Sequence, residues 1–304
     1  MANTREVKTR LRGVRKTQQI TRAMKMVATV KLRHAQAALA AARPYAERIQ
    51  ELTANLLANI DQPPAENQFF SRRAGSKASP GREKVLMIVV AADRGLCGSM
   101  NTNIFRQVMK HIDDLKTAEP KPEIELFLIG RKARDFFKSR QSTPAGGLSF
   151  KIRDAGNFGA ADARQLGKMF CGLYGKKEYD RIEVFYNEMV SSMQHRPRLF
   201  TLLPFDFSGA RRAAVQKKPG NFIFEPAADE MLADVVSAGV TGAVQKILLE
   251  AEVAEHAARM LMMDLATKNA DDLISTMQLT MNKLRQLLIT RELADITTGA
   301  EAVG

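Results

Sequence analysis

Cysteine is scarce in this 304-residue chain, with Cys97 and Cys171 as its only two. That is too few for a disulfide scaffold and suits a reducing compartment, while leaving a single bridge open. Long apolar runs are missing as well. The longest, residues 85–92, covers eight positions, against the ~20 needed to span a bilayer as a helix, so no membrane span is expected. The opening MANTREVKTR lacks an apolar signal core and reads as a native cytosolic terminus. There is no HExxH, no paired cysteines and no GxxxxGK[ST], and Gly95 and Gly98 do not complete a GxGxxG, so no metal or cofactor is expected. Histidine occurs only at His34, His111, His195 and His256. Cys97 lies beside Arg94 but has no histidine near it in sequence to activate it as a nucleophile.

Proline is absent from residues 231–296, a stretch of sixty-six. Fully helical, it would extend about 100 Å at ~1.5 Å per residue, several times the diameter of a 300-residue globule. Val240, Val244, Ile247, Ala251, Ala254, Ala258, Leu261 and Leu265 follow alternating steps of four and three, the seam of a left-handed coiled coil. Continuing through Leu265, Asn269, Leu273 and Met277 takes consecutive four-residue steps, a stutter that locally unwinds a supercoil. A matching seam runs through Ala35, Leu39, Ala42, Ala46, Ile49, Thr53, Leu56 and Ile60, and Val7, Leu11 and Val14 begin a similar one. The two ends of the chain are therefore expected to pair. Pro44 sits inside the first seam and predicts a bend or local opening near residues 40–44. The plainer reading is a pair of ordinary bundle helices, although globular helices average far fewer residues.

The formal net charge of +13 is unevenly placed. Residues 1–34 hold ten Lys or Arg against the single acid Glu6, while residues 230–304 hold six bases against eleven acids. Lys8, Arg12, Arg15, Lys16, Arg22, Lys25, Lys31 and Arg33 surround the first helix with one sign, which repels itself unless a partner supplies negative charge. Nucleic acid, an anionic membrane surface and an acidic protein surface all fit that composition.

Between the rods, Pro63, Pro64, Gly75, Ser76, Ser79, Pro80 and Gly81 mark a loop-rich boundary. Strands are predicted at 85–92, 123–129 and 181–187, helices at 101–115, 132–138 and 161–174, and short extended segments at 199–205 and 221–225, the last two as an antiparallel edge. Pro226 is placed to open the last helix. Alternating strands and helices predict a mostly parallel sheet covered on both faces. The loop DRGLCGSMN follows the first strand where doubly wound folds bind phosphates, but without a phosphate-binding motif Asp93, Arg94, Gly95 and Gly98 read as a structural turn or subunit contact. The fold class is thus α/β, with domains at 1–60 (helix), 61–226 (central Rossmann-like domain) and 227–304 (helix pairing with the first).

Five strings together carry a family resemblance: RLRGVRKTQQITRAMKMVATVKLRHAQ with ARPYAE, DRGLCGSMN, YDRIEVFYNEMVSS with the later LLPF, HAARMLMMDLATKNADDLI, and NKLRQLLITRELADITTGAEAV. In this order and spacing they resemble the gamma subunit of the F-type ATP synthase, across both ends and the middle of the chain. The resemblance implies a rotor shaft, non-catalytic itself. Its terminal helices form an antiparallel coiled coil inside a ring of three alpha and three beta subunits, and its α/β domain lies against epsilon and the membrane ring of c subunits. Ion flow turns shaft and ring together, and the asymmetric shaft drives each beta site through states of different nucleotide affinity. The implied location is peripheral, on the cytoplasmic face of the bacterial inner membrane.

By motif, Met24 and Lys25 of ITRAMKMV, and Arg285, Gln286, Thr290 and Glu292 of NKLRQLLITREL, occupy positions that the family links to beta contact and coupling. The belt of Lys8, Arg12, Lys16, Arg22, Lys31 and Arg33 would face acidic beta loops, and Leu284, Leu287, Leu288 and Ile289 would meet an apolar bearing. The chain departs from the usual DRGLCGGLN at Ser99 and Met100, and from NKARQA at Leu284 and Leu287. It also lacks the cysteine-paired insertion of photosynthetic relatives. Two other classes are set against this one. A coiled-coil nucleic-acid protein predicts salt-dependent DNA binding, and a Rossmann-like enzyme predicts saturable nucleotide binding.

Overall fold

The structure is a computed structural model that describes residues 4–58, 69, 82–117, 121–141, 150–156, 158–190, 194–205, 225 and 228–301. In chain order the elements are α1 (Thr4–Ala58), β1 (Lys84–Val90), α2 (Met100–Lys116), β2 (Glu123–Ile129), α3 (Arg131–Gln141), β3 (Phe150–Gly156), a 3-10 turn (Ala160–Asp162), α4 (Ala163–Gly175), β4 (Arg181–Met189), β5 (His195–Leu203) and α5 (Ala228–Glu301). The expected loop boundary from Pro63 to Gly81, the extended segment 221–224, Pro226 and the domain junctions near 60 and 226 lie outside the described residues. The chain divides into two compact units, one of Lys31–Ala258 and one of Met1–Val30 with Arg259–Gly304. Both long helices contribute to each unit.

The first unit is built on a five-stranded sheet of order β3-β2-β1-β4-β5. Its first four strands are parallel, and β5 runs antiparallel to β4 at the edge. Six residues of β1, VLMIVV, are buried, as a central parallel strand covered on both faces requires. Val85, Met87 and Val89 pack with Ile104, Phe105, Val108 and Ile112 of α2 and with Ala133 and Phe137 of α3. Leu86, Ile88 and Val90 face the other way, onto Leu166, Phe170 and Tyr174 of α4 and onto Val236, Val240, Val244 and Ile247 of α5. Gly167 makes the α4–α5 approach possible, since a Cβ there would lie 2.7 Å from the Cα of Thr241. Polar groups enter this core in a connected set. Glu125 accepts a hydrogen bond from Tyr179, pairs with Lys84 Nζ at 3.1 Å, and lies near Arg153, which itself pairs with Glu178 at 3.1 Å.

Two expectations change here. The segment 150–156, to which the sequence pattern assigns no element, is strand β3. Lys151, Arg153 and Asp154 hide the period-two signal in this edge position, and among the residues whose burial is described only Phe150 is buried. The stripe Val240, Val244, Ile247 was expected to face the N-terminal helix and instead joins the sheet core, with Leu56 of α1 in the same cluster. At the antiparallel edge, β5 begins at His195 rather than 199 and carries Pro197, which an edge strand tolerates because it lacks a second neighbour.

In the second unit α1 and α5 run antiparallel. Thr267 donates to Thr21 at 2.9 Å, Lys25 donates to Asp264 at 2.6 Å, and Gln18 donates to Asp271. On α1 the inner line Val7, Leu11, Val14, Gln18, Thr21, Ala28 keeps heptad order and is buried or half-buried. In the first unit it continues as Leu32, Ala35, Leu39, Ala42, Ala46, Ile49, Thr53 and Leu56. On α5 the expected continuation fails. Leu265 and Leu273 are each 51% exposed, whereas Arg259, Met263 and Ala270 are buried with Thr267 between them. The two consecutive four-residue steps therefore fall at 259–263–267, not at 265–269–273. Polar pairs, not leucines, fix the register in this stretch. α1 is unbroken through the exposed Pro44, and a cavity of about 490 Å³ lies beside it, bordered by Ala40.

Candidate interaction surfaces

The turn after β1 is placed where a doubly wound sheet takes its ligand, because α2 covers one face of the sheet and α4 the other. Asp93 accepts a hydrogen bond from the Arg131 amide at 3.0 Å, and Asn101 accepts one from the Ala92 amide at 3.1 Å while donating to Cys97 Sγ at 3.2 Å. Ala92, Cys97 and Met100 then pack on Ala254 and Ala258 of α5. The crevice is thus occupied by the chain's own helix, through small residues that allow close approach. Cys97 is a free cysteine, buried there. Gly98 adopts φ 62°, the left-handed region that glycine favours, whereas Ser99 adopts φ −84°. The Ser99 departure therefore carries no backbone penalty. Leu96 is also left-handed, at φ 64°, and is 60% exposed, an uncommon conformation for a bulky residue and one that turns its side chain outward. A Cβ at Gly95 would meet the Lys132 side chain at 3.9 Å. Arg94 sits in the same turn, its carbonyl within 3.9 Å of Cys97 Sγ.

Every member of the basic belt, Lys8, Arg12, Lys16, Arg22, Lys31 and Arg33, is exposed on α1. Among these charges lie Ile20, Met26, Val27 and Val30, each more than half exposed. Ile20, Ala23, Val27 and Val30 form a second heptad line on the outer side of α1, a signal present in the sequence but masked there by the stronger inner seam. Met24 lies between the two lines and Lys25 falls on the inner one, between Thr21 and Ala28; both are half-buried. Lys25 is not free to seek an outside acid without cost, because Asp264 holds it. Lys268 pairs with the same carboxylate at 3.1 Å, and hydrogen bonds from Lys25 and Lys268 keep Asp264 below the usual carboxylate range. Glu252 is likewise lowered, first by its hydrogen bond with His256 and further by the charge of Lys31.

Arg285, Gln286, Thr290 and Glu292 all lie exposed in the last turns of α5. Thr290 bonds back to the Gln286 carbonyl at 2.9 Å, within the helix. Leu287, Leu288, Ile289, Leu293 and Ile296 are exposed around them, and beyond Ala270 no described residue is buried. The structure does not gather the expected residues into one pocket: the 93–98 turn belongs to one unit, while Met24, Lys25 and the α5 end belong to the other. One helix segment, Met231–Thr298, contains a stretch with mean hydropathy 1.4, enough by length and composition alone to cross a membrane. The uninterrupted-run criterion overlooked it because isolated polar residues break the run. Val236, Val240, Val244 and Ile247 commit that part of α5 to the sheet core instead.

A family model described as ATP synthase matches residues 3–303. The ATP synthase gamma chain of Chlorobium chlorochromatii is 36% identical over 304 residues, covering 100% of this chain and 99% of the relative. That of Desulfitobacterium hafniense is 36% identical over 303 residues, with 100% of each chain covered. Among solved structures, a chain of the Euglena gracilis mitochondrial ATP synthase aligns with TM-score 0.64 at 21% identity, over 99% of this chain and 94% of its own. A chain from the central stalk and c-ring of the Tetrahymena thermophila enzyme aligns with TM-score 0.56 at 22% identity, over 81% and 99%. With full-length identity to curated gamma chains and the same fold as chains of solved ATP synthases, this chain belongs to the ATP synthase gamma chain family.

Proposed function

We propose that this chain is the central rotor shaft of an F-type ATP synthase, coupling ion flow through a membrane c ring to conformational change at catalytic beta subunits. The observation that carries the reading is the exposed apolar end of α5. Leu287, Leu288, Ile289, Leu293 and Ile296 are left in water by the chain itself, and each gains about 1.5–3 kcal/mol when fully buried. A sleeve around that end supplies the burial. The enzyme-like domain, by contrast, has its ligand crevice filled by Ala254 and Ala258, which supports a non-catalytic role within an enzyme complex.

In this reading the partners are three alpha and three beta subunits around one shaft, with epsilon and the c ring against the α/β domain, peripheral to the cytoplasmic face of the bacterial inner membrane. Residues 1–60 and 227–304 form the shaft and 61–226 the α/β domain. Met24 and Lys25, with Arg285, Gln286, Thr290 and Glu292, touch beta and set coupling, and Lys8, Arg12, Lys16, Arg22, Lys31 and Arg33 face acidic beta loops. The turn at Asp93, Arg94, Gly95 and Gly98 adds a subunit contact through the outward Leu96.

Rotation acts by differential contact, because a shaft that met all three beta subunits alike would shift no equilibrium between their states. Its two sides differ in kind: basic charge with an apolar line on outer α1, and bare apolar groups at the end of α5. A close charge pair is worth up to about 4 kcal/mol at an effective dielectric of ~20 and about 0–1 kcal/mol when solvated, so apolar packing carries more of the push than any one pair. The test is co-purification with alpha and beta, followed by deletion of residues 285–304. A three-to-three-to-one complex whose ATPase or coupling falls on deletion is expected. Failure to associate with either subunit overturns the reading.

A further inference from the structure

The outer side of α1 joins two properties, bare apolar groups and unmatched positive charge. Ile20, Ala23, Met26, Val27 and Val30 fall on the side of the helix opposite the inner line of Leu11, Val14, Gln18 and Thr21, and all five are exposed. Met26 is the one exposed methionine among the described residues. Arg12, Arg15, Lys16 and Arg22 are exposed on the same stretch and make no ion pair among the described residues. Glu6 is the single acid of residues 1–34, and Arg10 already holds it at 2.8 Å.

The partner classes that suit a basic helix part company on this surface. Nucleic acid would take up the bases and leave Ile20, Met26, Val27 and Val30 in water. A folded acidic protein would need a groove shaped to a convex ridge one helix wide. The interface of an anionic bilayer needs no matching groove: apolar side chains enter the acyl boundary while the flanking bases stay among the headgroup phosphates. The exposed end of α5 lacks this combination, because residues 285–304 hold two bases against three acids.

We propose that the free chain docks on an anionic phospholipid bilayer through the outer side of α1, with Ile20, Met26, Val27 and Val30 in the interface and Arg12, Arg15, Lys16 and Arg22 on lipid phosphates. In the rotor reading the same side faces beta, so lipid docking and enclosure by the ring exclude each other. The inference does not depend on that reading. Vesicle binding by the chain alone and assembly with alpha and beta are separate measurements, and either can fail while the other succeeds.

The test is flotation of the full chain with vesicles of phosphatidylglycerol and phosphatidylcholine in equal parts, against vesicles of phosphatidylcholine alone. Binding to the anionic vesicles only is expected, falling steeply with added salt. Ile20→Ser combined with Val27→Ser keeps every charge and is expected to weaken binding about tenfold or more. Arg15→Gln combined with Arg22→Gln keeps the apolar ridge and is expected to weaken it by about tenfold. The chain has no tryptophan, so Met26→Trp places a single reporter on the ridge and Leu288→Trp one at the end of α5. With brominated lipid, only the Met26→Trp chain is expected to be quenched. No vesicle binding, equal binding to neutral vesicles, binding unchanged by the paired serine substitutions, or quenching of the Leu288→Trp chain instead each overturns the proposal. Displacement of the vesicles by duplex DNA at equal phosphate concentration also overturns it, and would make nucleic acid the partner.

Discussion

Ile247 and Ile289 are the same residue on the same helix, one 5% exposed and the other 48%. From Leu232 to Leu248, α5 buries a line of large apolar side chains against a sheet; past Ala270 the described residues bury none. Neither end lacks hydrophobic residues. What differs is the surface opposite, which the chain provides for the first half and leaves to something else for the second. An apolar stripe therefore reports that a helix needs a partner, not where that partner is encoded.

The contrast is most easily broken at its buried end. Ile247→Ala removes side-chain volume from the core cluster beneath β1 and β4 and is expected to cost about 2–5 kcal/mol, the range for such truncations where the site cannot collapse. Denaturant unfolding of the isolated chain measures it, and a loss below 1 kcal/mol would mean that α5 is not anchored there. Gly167→Ala attacks the same anchorage from the other side. Its new Cβ would meet Thr241 Cα at 2.7 Å, which is backbone and cannot rotate away. A loss of about 1–3 kcal/mol is expected, as for other overpacked cores, read from the same denaturant unfolding.

Two carboxylates of this unit sharpen the comparison through pH. For Glu125, burial acts to raise the pKa, but hydrogen bonds from Tyr179 and Lys84, with the charges of Lys84 and Arg153, bring it below 4.5. The folded state thus holds its proton less tightly than the unfolded chain, and this group's stabilisation is present above pH 4.5 and lost as pH falls through the folded value. Glu250 is raised, chiefly by burial, and has the opposite sign: its contribution is full below 4.5 and declines as pH rises through its folded value. Glu125→Gln should flatten the acid limb of a stability–pH curve, and Glu250→Gln the fall on the neutral side. Curves parallel to wild type would contradict the two environments.

Much of this architecture is written in local pattern. β1 is legible because a strand buried on both faces reads as a continuous apolar run, β2 and β4 because theirs are broken only by Glu125 and by Glu183 and Asn187, and the inner line of α1 because heptad spacing persists along it. β3 was not, because an edge strand with Lys151 and Arg153 on one face loses its alternation to charge. The slip on α5 was placed six residues too late because leucine was weighted over threonine. Leu265 and Leu273 fit the spacing, but the Thr21–Thr267 and Lys25–Asp264 bonds set the pairing, and such partners 239 and 246 residues apart leave no local trace. That a turn joins strand to helix at 93–98 was legible. Its burial against Ala254 and Ala258 was not, since alanines on a coiled-coil line do not declare which neighbour they admit.

The smallest effect on stability belongs to the exposed end of α5, and it separates folding from function most cleanly. Ile289→Ala should change unfolding of the isolated chain by no more than about 0.5 kcal/mol, as expected for a surface site away from packing features. The same substitution removes apolar area from the surface assigned to the bearing, so in the assembled complex it should lower coupled ATP synthesis more than it lowers assembly. Ile247→Ala has the reverse profile, with stability lost and the bearing surface untouched. If Ile289→Ala instead destabilised the isolated chain as strongly as Ile247→Ala, the end of α5 would already be buried within its own protein, and the exposed half of the comparison would be wrong.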